Sequence, residues 1–385
     1  YKMINVSLIG VSGYASLYLD NLRRLHFEGK ICLVSALVHE LHKHEREVAL
    51  LKETNTAVFE TATDFFEHGR GTIDLCCIPT GIPSHASLSI MALRTGSHVL
   101  VEKPAAASVE EIEAMQKVAS ELNRTVFVGY QNMYSEETWN IKEALLGGVI
   151  GEIDTLHCMG LWPRSLDYFK RNDWAGRVVK EGKWIFDSVL HNAFGHFLNL
   201  MCFWSGTSIN SSCEVDEIEA HMYRVLPIES FDTCSVEIKT ASSALIRMTV
   251  SHNSYENVDP IIRISGSKGS LEWTPEYYII NGQRYSLTQG VNESFNKARS
   301  AMFDNVVARL QGADAHICDL SIARVPTEIV NRMHKSFQIT PVDEALVSSY
   351  ENDMGYHKAI IGLEEAVKRS FEEGVLLDIA ELEVS

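Results

Sequence analysis

The first 130 residues alternate short β-branched apolar runs with amphipathic helical ones, and this alternation constrains the fold more than any other feature of the chain. "MINVSLIG" predicts a strand ending at Gly10, followed by a helix from about Tyr14 to His26. "ICLVSALV", "IDLCCIP", "HVLVE" and "TVFVGY" predict further strands, and Ser108 with Glu111 three residues on predicts a capping box opening one of the helices between them. Strands alternating with helices need crossover connections, so the sheet they form is parallel and covered on both faces.

After a helical run over Glu136 to Leu146 the character changes to longer alternating runs, among them "CEVDEIEAHMYRV", "CSVEIKTASSALIRMTVSH" and "YYIINGQRYSL", with turn signals at Gly266 to Gly269 and at Asn281-Gly282. These predict a large, mostly antiparallel sheet, with Asp187 to Ser205 as one helix packed on it and closing helices near Ile322 to His334 and Met354 to Gly374. The expected organisation is an α/β domain with a parallel sheet over about 1–130, joined to an α+β domain over about 131–385. The open face of an antiparallel sheet needs a cover, which predicts a homodimer or homotetramer built through that face.

Composition excludes some partners. Thirty-four basic against 51 acidic side chains leave a net charge of -17, a field that repels phosphate backbones and anionic lipid, so neither nucleic acid nor membrane is expected. No apolar run reaches the roughly 18 residues that span a bilayer. Eight scattered cysteines without a CxxC pair read as reduced thiols of a cytoplasmic protein, and no cluster declares a metal site.

The first strand runs into "GVSGYA", residues 10 to 15. A dinucleotide site wants glycine where the chain turns sharply, where backbone approaches a pyrophosphate, and where helix meets strand. Gly10 fits the first role; Ser12 and Ala15 occupy the other two positions, with Gly13 between them. An acid for the ribose hydroxyls is expected at the end of the second strand, which reads Val38-His39 without an Asp. His39, or Lys43 and Arg46, could accept the 2'-phosphate of NADP, so NAD and NADP both stay open; Lys43 and Arg46 equally suit a solvated helix start.

"IPTGIPSHASLSIMALRTGSHVLVEKPAAAS" (78–108), "FVGYQNMYS" (127–135), "GGVIGEI" (147–153), "WIFDSVLHNAFGHFLNLMCFWSG" and the late "AIIGLEEAVKRSFEEG" together resemble the glucose-fructose oxidoreductase, inositol dehydrogenase and rhizopine catabolism family, Gfo/Idh/MocA. The resemblance implies a Rossmann domain joined to an antiparallel α+β domain, and NAD(P)-dependent oxidation or reduction of a sugar, sugar acid or cyclitol hydroxyl. It implies that Lys103, within Glu102-Lys103-Pro104, bonds the reacting hydroxyl, where an ammonium can stabilise a developing alkoxide. It places Pro79, Thr80 and His85 along the cofactor groove, although His85 also suits a helix-start surface position. Tyr14, Glu102 and Gln131 follow as cofactor neighbours.

Asp187 and His191 are four apart, so on a helix they share a face, and the acid can hold the imidazole in one tautomer while it takes the hydroxyl proton. The family's catalytic Asp and His are similarly spaced. Asp187 also suits a simple N-cap. The loop "WPRSLDYFKRNDWAGR" (162–177) is dense in aromatics and cations, with six basic and three acidic residues from Arg164 to Lys183. Its Trp162, Tyr168 and Trp174 suit the apolar faces of a pyranose, and Arg164 suits a carboxylate or vicinal hydroxyls, although the aromatics equally suit loop anchoring. Two other functions fit the same residues: a dinucleotide-binding sensor or scaffold without catalysis, and a glycoside-cleaving enzyme that oxidises its sugar only transiently.

Overall fold

The computed structural model describes residues 3–382, so the outermost ends of the expected domains lie outside the described residues. The chain divides into two compact units, Tyr1–Glu136 with Lys297–Arg324 and Glu137–Asn296 with Val325–Ser385. The sequence reading places everything beyond 130 in one domain; this division gives residues 297–324 to the first unit.

In the first unit six strands lie side by side, β1 (Ile4–Ile9), β2 (Ile31–Leu37), β3 (Ala57–Phe59), β4 (Leu75–Ile78), β5 (His98–Val101) and β6 (Val126–Val128). Their order is β3-β2-β1-β4-β5-β6 and every pairing is parallel, the doubly wound arrangement of dinucleotide-binding domains. β1, β4 and β5 are buried on both faces, which explains their unbroken apolar runs. The capping box at Ser108 forms as expected, the Ser108 hydroxyl accepting from Glu111 N–H and the Glu111 carboxylate from Ser108 N–H.

The second unit carries a nine-stranded mixed sheet. Its central strand, Ile153–Leu161, runs antiparallel to Val258–Gly266 and parallel to Leu245–Ser251, and the Asn281-Gly282 turn joins two of its edge strands. On one face Gly160 lets the Phe194 ring approach to where a Cβ would lie only 2.4 Å away, so the segment opening the apolar helix Gly195–Trp204 lies directly on the sheet. The other face is only partly open. Helix Leu363–Glu373 packs Leu363, Ala366 and Val367 into a cluster with Leu161, and the flanking surface carries Arg247–Glu237 and Arg263–Glu272 ion pairs.

Three segments differ from expectation. Residues 355–360 form a strand, paired with 347–352, because the Gly355 turn reverses the chain before the helix starts at Leu363. A 20-residue helix, Val291–Leu310, occupies a stretch for which the sequence reading gives no element, although Ala298, Met302, Phe303, Val306 and Val307 bury one face at helical spacing. Asp187 to Ser205 is not one helix. Phe186 has a positive φ of 51° and Ser188 is extended, so helical turns begin only at Val189. No helix among the described residues is long and apolar enough to cross a membrane.

Candidate active site

The Gly turn leaves β1 as the motif predicts. Gly10 adopts φ 87° and donates its N–H to Leu37 C=O at the end of β2, and Gly13 adopts φ 60° with nothing within 4 Å of where a Cβ would sit. The Cβ of Ala15, first residue of the helix Ala15–Phe27, lies 3.8 Å from the corresponding point on Gly10. Small residues therefore leave the N-terminal peptide groups of that helix approachable by a pyrophosphate. Ser12 is exposed, and Tyr14 donates to Gln131 Oε1 (3.3 Å) while accepting from Arg299 Nε (3.2 Å).

The loop carrying Lys103 is fixed from beneath. Glu102 is buried; its carboxylate accepts from Tyr18 OH (2.8 Å) and from Lys103 N–H (3.0 Å). Burial raises its pKa, opposed by the Lys103 charge. Its hydrogen bonds make Glu102 a support for this loop. His85 is buried too, with Nδ1 2.8 Å from Pro104 C=O and Nε2 2.9 Å from Thr80 C=O. It ties the turn after β4 to the same loop, and burial holds its pKa below the ordinary histidine range. Pro79 is buried behind that turn, and Thr80 accepts from Ser84 Oγ.

In the second unit both Asp187 and His191 are buried. His191 Nδ1 lies 3.1 Å from Phe186 C=O, which can only accept, so Nδ1 carries the proton of the neutral ring. Nε2 then presents its lone pair, 3.3 Å from Thr327 Oγ1. A backbone carbonyl thus sets the tautomer expected of a base. The Asp187 carboxylate instead accepts from Gly176 N–H (2.7 Å) and Asn192 Nδ2 (2.9 Å), tying the 176 loop to the His191 turn. That turn is π-helical, Phe194 N–H reaching back to Val189 C=O, and a helix-wide spacing rule therefore does not hold across it.

Of the expected substrate loop, Trp162 stacks on Phe194 (4.6 Å) and donates to Asp259, while Arg164 lies against the Trp162 and Tyr168 rings. Trp174 lies beneath Arg171. A cavity of about 440 Å³ opens beside this loop, lined by Phe169, Gly176, Arg177 and Ile228 among others. Asp187 and His191 do not line it.

A model of the oxidoreductase family with the NAD-binding Rossmann fold matches residues 4–130, and one of the GFO/IDH/MocA C-terminal domain matches residues 138–272. The chain belongs to the Gfo/Idh/MocA oxidoreductase family. It is 24% identical over 204 residues to inositol 2-dehydrogenase of Rhizobium meliloti, a match covering 52% of this chain and 56% of that protein. It thus spans little more than half the length of that relative, and 42% of the inositol 2-dehydrogenase of Rubrobacter xylanophilus. The WlbA dehydrogenase from Chromobacterium violaceum, solved with NADH and UDP-GlcNAcA, shares the fold at TM-score 0.70 and 23% identity, over 87% of this chain and 94% of that one. Levoglucosan dehydrogenase, solved with NADH and levoglucosan, does so at 0.69 and 16%, over 87% and 97%.

Two residues of this family member escape the sequence reading. Glu40 follows exposed His39 just past β2, where a ribose-binding acid belongs, held in a left-handed conformation (φ 52°) with its carboxylate 2.7 Å from Lys43 Nζ. The signal was legible, one residue beyond the strand end that the motif rule searches. Arg299 reaches Tyr14 from the helix Val291–Leu310, a contact no local pattern announces.

One pH dependence follows. His252 is buried with Nδ1 2.7 Å from Trp162 C=O, and burial, reinforced by Arg164 and Arg171, pushes its pKa down to about 3. An unfolded histidine titrates near 6.5, so between about pH 3 and 6.5 the unfolded chain binds a proton that the folded one refuses. Folding stability must therefore decrease as pH is lowered from about 6.5 to about 3, this one residue contributing up to about 1.4 kcal/mol per pH unit. Urea unfolding at stepped pH reads the slope. His252→Gln, which can still donate to Trp162, should flatten it; an unchanged slope contradicts the assignment.

Proposed function

We propose that this chain is an NAD-dependent oxidoreductase acting on a CH–OH group of a sugar, sugar acid or cyclitol. The observation that carries the reading is His191, buried, with Nδ1–H held by the Phe186 carbonyl and Nε2 left as acceptor. A buried imidazole locked in that tautomer suits a general base. The relatives named as inositol dehydrogenases, and structural neighbours solved with NADH and a sugar derivative, support the substrate class.

Bound NAD supplies the hydride acceptor. The residues of this chain do the rest. The Gly10–Ala15 turn and the helix behind it take the pyrophosphate, with Tyr14 and Gln131 beside them. Lys103 donates to the reacting hydroxyl and stabilises the negative charge as it grows on oxygen. His191 Nε2 takes the hydroxyl proton, and Asp187 acts as a positioning residue through Gly176 and Asn192. Trp162, Tyr168 and Trp174 give the sugar apolar faces. The eight free thiols support a cytoplasmic location, and a homodimer or homotetramer through the nine-stranded sheet is the assembly we infer. Light scattering of the full chain reads it, and a monomeric mass removes it.

A panel of hexoses, uronic acids and inositols assayed for NADH formation tests the activity. Lys103→Ala and His191→Ala should each lower kcat by about 10²- to 10³-fold with the native melting temperature retained. An unchanged kcat in either variant removes that residue from the chemistry.

Glu40 should select NAD, since its carboxylate can accept from the ribose 2'-hydroxyl and repels a 2'-phosphate. Glu40→Ala should lower the NAD over NADP ratio of kcat/KM by about tenfold, the size of one charge-assisted hydrogen bond. A ratio that does not move, or a wild type preferring NADP, assigns selection to another residue.

A further inference from the structure

The cations of the 164–183 loop are not alike. Lys170 pairs with Asp167, Lys180 with Asp173 and Arg177 with Glu229, as a solvated surface in an acidic protein would have it. Arg164 and Arg171 pair with no carboxylate among the described residues. Arg164 is half-buried; its Nε is buried without a partner and its only hydrogen bond is a long one, 3.4 Å, to the carbonyl of neighbouring Pro163. Its guanidinium lies 5.1 Å from the Tyr168 ring centre and 5.9 Å from that of Trp162. Arg171 also lies against the Tyr168 ring, at 3.7 Å, and donates to Tyr168 C=O.

Among the described residues no carboxylate pairs with this guanidinium. His252 and His357, both buried, feel its charge as a force against their own protonation. His357 Nε2 faces Asn352 Oδ1 at 3.1 Å, and its Nδ1 is buried without a partner. Asp259 accepts from Nε1 of Trp162, the ring on which the Arg164 guanidinium lies. A partly desolvated guanidinium without an ion pair costs stability unless a ligand completes it. Trp162, two residues before Arg164, stacks on Phe194, the residue that closes the His191 turn, so the Arg164 loop is packed against the segment that carries the imidazole.

We propose that Arg164, assisted by Arg171 across the Tyr168 ring, recognises an anionic group of the substrate, so that the sugar this chain takes carries a carboxylate or a phosphate. The guanidinium fork matches either group with paired N–H donors, and aromatic faces hold the ring to which the anion is attached. In a chain of net charge -17 an anionic sugar gains nothing from the overall field, so local cations must supply the attraction. This inference rests on the oxidoreductase reading above and narrows it to acidic sugars.

The test is calorimetric titration of the full chain, saturated with NAD, with glucuronate, glucose 6-phosphate and glucose. Glucuronate, glucose 6-phosphate or both should bind about tenfold tighter than glucose, and which of them does so identifies the anion. Arg164→Gln should erase that preference, Arg164→Lys should keep part of it, and raised salt should weaken it, with melting temperatures confirming that each variant is folded. Equal binding of glucose, an acidic preference that survives Arg164→Gln, or no binding of either acid overturns the proposal. The two readings fail separately: NADH formation from neutral sugars alone leaves the oxidoreductase standing without the anion site. Arg164-dependent binding of an acid with no turnover of any sugar does the reverse.

Discussion

A buried carboxylate fixes the place of Lys103. Glu102 lies beneath the loop with both oxygens engaged, one by Tyr18 of the first helix and one by the N–H of Lys103 itself. Charge inside a protein is expensive unless hydrogen-bonded, and two donors with a lysine next in sequence reduce that cost. Gly129, at the end of β6, leaves the needed room: a Cβ there would lie 2.6 Å from the Glu102 carboxylate. His85 adds a second tie through the Pro104 carbonyl. The strand ends, the first helix and the loop that carries Lys103 are thereby one hydrogen-bonded assembly.

The second unit solves the same problem with different groups. Its buried imidazole, His191, is oriented by a main-chain carbonyl, Phe186, whose left-handed conformation turns that oxygen toward the ring. Asp187 follows directly and holds two neighbours, the Gly176 N–H and the Asn192 amide. The 176 segment in turn bonds the 229–230 backbone through Gly176 C=O, so the acid anchors several loops at once. An aspartate four residues before a histidine thus helps fix the ground on which the imidazole stands.

Much of this was legible in the chain. Alternation and the Gly10 turn foretold the parallel sheet, and the Ser108–Glu111 box formed as the motif requires, because both rest on local backbone physics. The Asp187–His191 geometry was not legible, since a 3.6-residue spacing rule assumes a regular helix and the positive φ at Phe186 with the π-turn beyond it breaks that assumption. The helix Val291–Leu310 had its apolar periodicity on display. Its contact from Arg299 to Tyr14, 285 residues apart, exists only in the folded unit. Glu40 shows a third kind of miss, where the chemistry sought was present one residue beyond the expected end of β2.

The Gly10–Ala15 turn of the first unit should hold a nicotinamide dinucleotide. Fluorescence titration of the full chain with NADH and, separately, NADPH at fixed salt tests it most directly. NADH should bind saturably and tighter than NADPH, with protein emission quenched as the nicotinamide emission rises. No saturable binding of either nucleotide would contradict it.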